Sequence, residues 1–68
     1  MQIDKRHGGP FDRGAADSYY SRGAKPHYYV GAAYSSEIIT EERMTLKEIQ
    51  DYYAGYVWNE QQGDKKEW

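Results

Sequence analysis

The clearest pattern of apolar and polar positions lies in the last third of the chain. Apolar side chains recur there at the three- and four-residue spacing of one helical face. The members of this stripe are Leu46, Ile49, Tyr53, Tyr56 and Val57, with Tyr52 at its edge. The pattern predicts an amphipathic helix over residues 46–62 whose stripe faces the core.

Both ends of this helix carry sequence signals. Thr45 is a good N-cap, and Glu48 three residues later completes a capping box. Met44 and Ile49 have the spacing of a hydrophobic staple around that cap. Gly63 suits the C′ position, where a left-handed backbone is common. This helix is therefore the best-specified element of the chain.

The preceding segment favours β-structure. Residues 27–34 are rich in aromatic and β-branched side chains, and residues 37–43 contain Ile38, Ile39 and Thr40. Ser35 and Ser36 could turn the chain between them. A hairpin over residues 27–43 is predicted, and it needs the following helix to cover it because two strands alone are marginal in water.

The first part of the chain is less regular. Glycine and proline among charged residues predict a flexible or irregular arm over residues 1–11. Residues 12–23 predict a helix of about two turns that stops at Gly23. Residues 12–68 thus form one α+β mini-domain, small and loop-rich, with the main helix packed on a hairpin or extended segments.

Composition limits the core. Ten of the 68 residues are Tyr or Trp, whereas Leu, Ile, Val and Phe together supply eight. A small domain with so few aliphatic side chains has little stability to spare, and the absence of cysteine excludes disulfides and cysteine-based zinc sites. Tyrosine rings bury apolar area but keep a hydroxyl that needs a partner, so packing and binding both use amphipathic surfaces.

The residue types do not form a catalytic set. The serines lack an elbow motif, His7 and His27 lack ligand-type spacing, and the glycines match no phosphate-binding loop. We therefore expect a non-enzymatic protein without a metal or cofactor. The N-terminal ten residues contain no apolar run, which argues against a signal peptide or membrane span, so we expect a cytoplasmic location.

Cationic and aromatic residues are interleaved from the predicted first helix to the start of the predicted hairpin. The cluster comprises Arg13, Gly14, Asp17, Tyr19, Tyr20, Arg22, Gly23, Lys25, His27, Tyr28 and Tyr29. Such a mixture can stack on RNA bases and meet phosphates. The chain is acidic, however, with a pI near 5.6, so ion pairs and ring packing within the protein are the favoured interpretation. Tyr20 and Arg22 are the members expected to face outward.

Trp58 lies off the predicted stripe. It is flanked by Asp51, Ala54 and Gly55, which leave a shallow seat on the helix surface. A glycine inside a helix costs about 1 kcal/mol relative to alanine, so its presence indicates a close approach. Either the N-terminal segment or Trp68 folds across this face, which is the favoured interpretation, or a partner docks there.

Several short motifs resemble a known family. Residues 12–22 read DRGAADSYYSR, followed by Pro26-His27, Ala54-Gly55-Tyr56, Asn59-Glu60, Gly63, Lys66 and Trp68. They resemble a family of small proteins encoded by bacteriophages, prophages and bacteria, with the pattern D-R-G-S-A-D-S-Y-Y-G-R, P-H, A-G-Y, N-E, G and K-D-W. The match runs from Asp12 to Trp68 and departs from the pattern at Ala15, Ser21 and Glu67. The resemblance implies a phage or mobile-element context rather than a mechanism.

A second resemblance covers one helical turn. Residues 53–56, YAGY, are similar to the Gly-Tyr-x-Ala-Gly style of ribosome modulation factor. That family is strongly basic and this chain is not. The resemblance adds ribosome association to the RNA-binding alternative.

The sequence thus predicts a small protein that binds a macromolecule of a bacterial host. A host protein is the favoured partner, RNA is the alternative, a homodimer is compatible with the composition, and no membrane contact is expected. The candidate partner-binding residues are Arg13, Asp17, Tyr19, Tyr20, Arg22, Tyr28, Asp51, Gly55 and Trp58.

Overall fold

The computed structural model describes residues 7–31 and 37–63. In chain order, the elements are α1 (Pro10–Tyr19), β1 (His27–Tyr29), β2 (Ile38–Thr40), a 3₁₀ turn (Glu41–Arg43) and α2 (Leu46–Gln62). The two strands form an antiparallel sheet. The predicted α+β class is therefore confirmed. None of the described helices is long and apolar enough to cross a membrane.

The main helix begins and ends at the predicted residues. The Glu48 N–H donates to Thr45 Oγ1 at 3.2 Å, and the Thr45 N–H donates to Glu48 Oε1 at 2.8 Å. These two bonds satisfy groups that a helix N-terminus otherwise leaves unpaired. At the other end Gly63 takes a left-handed conformation with a φ of 69°. Capping box and C-terminal glycine are both confirmed.

The hairpin has the predicted order but is shorter than the predicted strands. Tyr28 is paired with Ile39, and the Val30 N–H donates to the Glu37 carbonyl at 3.0 Å, one step beyond the strands. Ile39 faces the apolar core. The predicted turn and the end of the first predicted strand fall at residues 32–36, outside the described ranges.

Helix α1 starts earlier than predicted. Pro10 occupies its first turn, where a missing N–H costs nothing and the fixed φ suits a helix. Gly8, at a φ of 83°, donates its N–H to Asp12 Oδ2 at 3.0 Å and brings the chain into the helix. Phe11, expected at the end of an irregular arm, is a buried helical residue. The rest of the predicted arm, residues 1–6, lies outside the described part.

Helix α1 also ends earlier than predicted, at Tyr19 rather than near Gly23. The Arg22 N–H donates to the Asp17 carbonyl at 2.8 Å, and the Ser21 N–H donates to the Ser18 carbonyl at 3.0 Å. This pair of bonds is a Schellman motif, which places a left-handed residue at C′. Ser21 occupies that position with a φ of 59°.

Replacing Ser21 with glycine should therefore stabilise the protein. A left-handed conformation costs a non-glycine residue roughly 1–2 kcal/mol, and part of this is offset by the greater freedom of glycine in the unfolded chain. We expect a gain of about 0.5–1 kcal/mol in the free energy of unfolding, measured by chemical denaturation. Ser21→Ala, which keeps the strain, is the control and should bring no such gain.

The two helices cross at a pair of glycines. A Cβ atom added to Gly14 would lie 2.9 Å from the carbonyl carbon of Tyr52 and closer still to its oxygen. A Cβ added to Gly55 would lie 2.9 Å from the carbonyl carbon of Phe11. The two backbones are in contact at this crossing, so α2 packs chiefly on α1. The sheet contributes Ile39 and Tyr28 to the apolar cluster around Tyr52.

This crossing overturns the core-facing assignment for part of the predicted stripe, whereas its members Ile49 and Tyr56 do pack against the core. Leu46 is 78% exposed, Val57 is 49% exposed, and Tyr53 is exposed as well. The face that α2 turns inward carries Asp51, Tyr52, Gly55 and Asn59. Close contact at Gly55 rotates the helix away from the orientation that its apolar periodicity predicted, and Tyr52, placed at the stripe's edge, is instead fully buried.

The apolar core is correspondingly small. Ile39, Met44 and the ring of Tyr52 form it, and three partly buried side chains pack around them: Tyr28, Ile49 and Tyr56. Three of these six side chains are tyrosines, in line with a composition rich in aromatic and poor in aliphatic residues. Outside this cluster, α1 contributes the buried ring of Phe11 and several buried polar side chains.

Candidate functional site

The interior of the protein is organised around one carboxylate. Asp17, on the inner face of α1, is only 2% exposed. The Tyr52 hydroxyl of α2 donates a short hydrogen bond to Asp17 Oδ2, and Arg22 Nη1 donates to Oδ1 at 3.1 Å. Buried carboxylates are tolerated only when such donors replace their lost water. Asp17 therefore ties both helices to the loop that follows α1.

That loop is held to α2 by tyrosine hydroxyls. The Lys25 N–H donates to the Tyr52 hydroxyl oxygen at 2.8 Å, and the Tyr56 hydroxyl donates to the Arg22 carbonyl at 3.1 Å. Tyr52 is thus both donor and acceptor. Burial, together with the hydrogen bond to Asp17, raises the pKa of the Tyr52 hydroxyl well above its usual value.

A second cluster of polar side chains joins the C-terminal parts of the two helices. Ser18 is fully buried, and its hydroxyl donates to Glu60 Oε2 at 2.5 Å. Asn59 Nδ2 donates to Ser18 Oγ at 3.1 Å. Together with the Asp17 cluster, these bonds give the α1–α2 contact a fixed register, which is the role that buried polar groups serve best.

Four candidate partner-binding residues are buried within the protein instead of facing a partner. Asp17 and Gly55 lie at the helix contact, Asp51 is 5% exposed and accepts a hydrogen bond from Lys47 at 2.7 Å, and Arg13 lies over the Tyr29 ring. Their assignment to a partner surface is corrected, because α1 covers the α2 face on which two of them lie. Sequence reasoning had already favoured contacts within the protein for the Arg13 and Asp17 cluster.

Trp58 has both a packed and an open side. Its ring lies 5.9 Å from the ring of Phe11, and its side chain remains about half exposed. The segment that covers the seat beside Gly55 is therefore the N-terminal helix, one of the two segments considered. Part of Trp58 stays accessible at the edge of the α1–α2 contact.

Tyr20 and Arg22 face outward, as predicted. The Arg22 guanidinium lies 4.8 Å from the centroid of the Tyr20 ring, and Tyr19 meets the same ring edge-on at 5.0 Å. Tyr28, by contrast, is partly buried against the apolar core. The outward-facing part of the cluster therefore includes the two residues that the sequence predicted.

The surface that sequence reasoning missed is the outer face of α2. Leu46, Tyr53 and Val57 project there, and we call them the outer strip. The helical period had grouped them correctly but assigned them to the core. Gly55 is the sequence signal that could have corrected this assignment. A glycine inside a helix indicates a close approach, so the face that carries Gly55 is the one to expect against another helix.

His27 is a further polar side chain near Asp17. Its Nδ1 lies 2.8 Å from the Lys25 carbonyl, which can only accept, so Nδ1 carries the proton. The same nitrogen lies 3.8 Å from Asp17 Oδ2. Among residues 7–31 and 37–63, no three His, Asp or Glu side chains are arranged to hold a metal ion.

These features define a small α+β domain with a glycine-mediated helix contact and a polar interior. Comparison of the chain with protein families, curated proteins and solved structures gave no match. The exposed surfaces of the protein are therefore the features that bear on its function.

Proposed function

We propose that the protein is a non-enzymatic binding protein of phage or mobile-element type that engages a host protein through the outer strip of α2. The observation that carries the proposal is the placement of scarce apolar residues. Of the seven Leu, Ile, Val and Phe side chains within residues 7–31 and 37–63, four are exposed: Val30, Ile38, Leu46 and Val57. A chain that needs every aliphatic side chain for its core gains nothing from this placement unless another molecule covers them.

The outer strip has the geometry of a helix that docks into a groove. At about 100° per residue, Leu46, Tyr53 and Val57 fall within a sector of roughly 40°, centred opposite Gly55. They recur at i, i+7 and i+11, a spacing at which helical ligands present their anchors. Because α1 packs on the other side of α2, the strip is available without unfolding.

Charge indicates what the partner's groove should look like. Residues 37–63 contain six acidic and two basic side chains. Both basic ones are already paired, Arg43 with Glu37 at 2.8 Å and Lys47 with Asp51 at 2.7 Å. The surroundings of the strip are therefore acidic, which favours a partner whose apolar groove has a basic rim.

The proposal predicts that binding can be removed without loss of stability. In the double variant Leu46→Gln/Val57→Gln, two exposed apolar side chains become polar, glutamine is a good helix former, and the net charge is unchanged. We expect wild-type stability in chemical denaturation and at least a tenfold loss of partner capture. Tagged protein is incubated with nuclease-treated bacterial lysate, and a captured protein is then identified, purified and titrated by calorimetry.

Val30→Gln is the matched control, since it removes an equally exposed aliphatic side chain from the hairpin. It should bind the purified partner as the wild type does. Equal binding by the double variant and the wild type would contradict the proposal. Capture that disappears with nuclease would assign the function to RNA, and self-association of the wild type that the double variant lacks would identify a second copy as the occupant.

A further inference from the structure

A concavity opens between the C-terminal end of α1 and the start of β1. Its volume is about 460 Å³, and it is lined by Asp17, Arg22, Gly23, Ala24, Lys25 and His27. It lies apart from the outer strip of α2, so what it binds is independent of the function proposed above. Most of the groups that line it are hydrogen-bond donors.

Arg22 is held in place at this site. Asp17 accepts one of its guanidinium N–H groups at 3.1 Å, and the Tyr20 ring lies 4.8 Å from its central carbon. The Arg22 side chain is nevertheless 55% exposed. A guanidinium carries five N–H donors in a rigid plane, so fixing it from one side leaves the others oriented toward solvent. Such a group loses little entropy when it binds an anion.

Further donors beside Arg22 have no acceptor. In the described part of the chain, the Lys25 ammonium makes no ion pair, and the N–H groups of Gly23 and Ala24 donate to no protein atom. Consecutive main-chain N–H groups next to cationic side chains are the elements from which anion sites are built. Gly23, Ala24 and Lys25 all belong to the lining of the concavity.

The charge balance favours an anion as well. Asp17 contributes one negative charge at the floor, but Arg22 and the Tyr52 hydroxyl already compensate it. Lys25 then remains as an uncompensated positive charge at the rim. Oxyanions such as phosphate match the planar, bidentate geometry of arginine and are also bound by lysine.

The neighbouring surface limits how long the ligand can be. A second concavity, of about 410 Å³, shares Lys25 and His27 with the first and is lined on its other side by Glu41 and Glu42. These carboxylates would repel the next phosphates of an extended strand. We therefore propose that the α1–β1 concavity binds a single phosphate group, as carried by inorganic phosphate or a small phosphomonoester, through Arg22, Lys25 and the loop N–H groups.

The test is a titration of the ¹⁵N-labelled protein with sodium phosphate, against sodium chloride at the same ionic strength, followed by NMR. Phosphate should shift the amide resonances of Gly23, Ala24 and Lys25 in a saturable manner. Lys25→Gln, which removes an ammonium without a partner, should weaken the affinity at least fivefold and leave the fold intact. Arg22→Gln should weaken it at least as much.

Arg43→Gln is the matched control because it removes the same charge from an exposed arginine outside the concavity. It should retain wild-type affinity. Shifts that do not saturate, or an equal effect of Arg43→Gln and Lys25→Gln, would overturn the proposal. A parallel titration with oligouridylate distinguishes the ligand class: binding more than tenfold tighter than phosphate, with shifts spread beyond the loop, would replace a single-phosphate site with an RNA surface. The Leu46→Gln/Val57→Gln variant should bind phosphate normally, so failure of either proposal leaves the other standing.

Discussion

Replacing either Gly14 or Gly55 with alanine is expected to destabilise the protein by about 3 kcal/mol, at the upper end of the cost of overpacking a well-packed interior. At both positions the added methyl group would overlap a backbone carbonyl of the opposite helix. A side chain could rotate away from such a contact, but a carbonyl within a helix cannot. Relief of the overlap requires the helices to move apart, which loosens the hydrogen bonds of Asp17 and Ser18.

The sign of this prediction is set by two opposing terms. Alanine favours the helix by about 1 kcal/mol over glycine, so a helix without a close neighbour would gain stability. The loss of the contact should exceed that gain. Urea denaturation followed by circular dichroism measures the difference, and a small domain with only several kcal/mol of total stability would be partly unfolded in either variant.

Gly23→Ala provides the matched control. A Cβ added to Gly23 meets nothing within 4 Å, and its φ is not in the left-handed region. This variant should be as stable as the wild type or up to about 1 kcal/mol more stable, because alanine reduces the freedom of the unfolded chain. If Gly14→Ala or Gly55→Ala behaved in the same way, the close helix crossing would be wrong.

Local signals in the sequence predicted local structure well. The capping box of Thr45 and Glu48 and the glycine at position 63 depend on residues a few positions apart, and they set the ends of α2 correctly. The start of α1 was missed because the expected boundary gave too little weight to Pro10, which fits a first helical turn. Its end was missed because Ser21, rather than a glycine, takes the left-handed position.

Nonlocal packing was not predictable in the same way. Helical periodicity assigned Leu46 and Val57 to the core, since apolar residues usually point inward. The α1–α2 contact instead depends on the absence of side chains at Gly14 and Gly55 and on hydrogen bonds between residues 35 or more positions apart, such as Tyr52 and Asp17. No spacing rule identifies such a polar pair in advance.

The same limit applied to the candidate site. Tyr20 and Arg22 were expected to face outward, and this placement is seen. Asp51 and Gly55 were assigned to a seat beside Trp58, and that seat exists but is filled by α1. The surface left open is the one that periodicity had assigned to the interior.

Replacing Tyr52 with phenylalanine should cost about 3 kcal/mol, although only one oxygen atom is removed. Its hydroxyl donates to Asp17 and accepts from the Lys25 N–H, so the variant leaves a buried carboxylate and a backbone donor without that partner. A buried group that loses its partner typically costs 1–3 kcal/mol, more when it is charged. Tyr53→Phe is the matched control, since the adjacent ring is 41% exposed; it should change the free energy of unfolding by less than about 0.5 kcal/mol.

Tyr52 should also make stability depend on alkaline pH. Its pKa is raised in the folded protein above the value of about 10 expected in the unfolded chain, so the folded state holds this proton where the unfolded state releases it. The contribution is therefore fully present below pH 10 and decreases as the pH rises above 10, by at most about 1.4 kcal/mol per pH unit for one proton. Subtracting the denaturation curves of Tyr52→Phe from those of the wild type isolates this dependence from the other tyrosines. A difference between the two proteins that stays constant from pH 8 to pH 11 would show that folding does not raise the pKa of the Tyr52 hydroxyl, and would contradict this prediction.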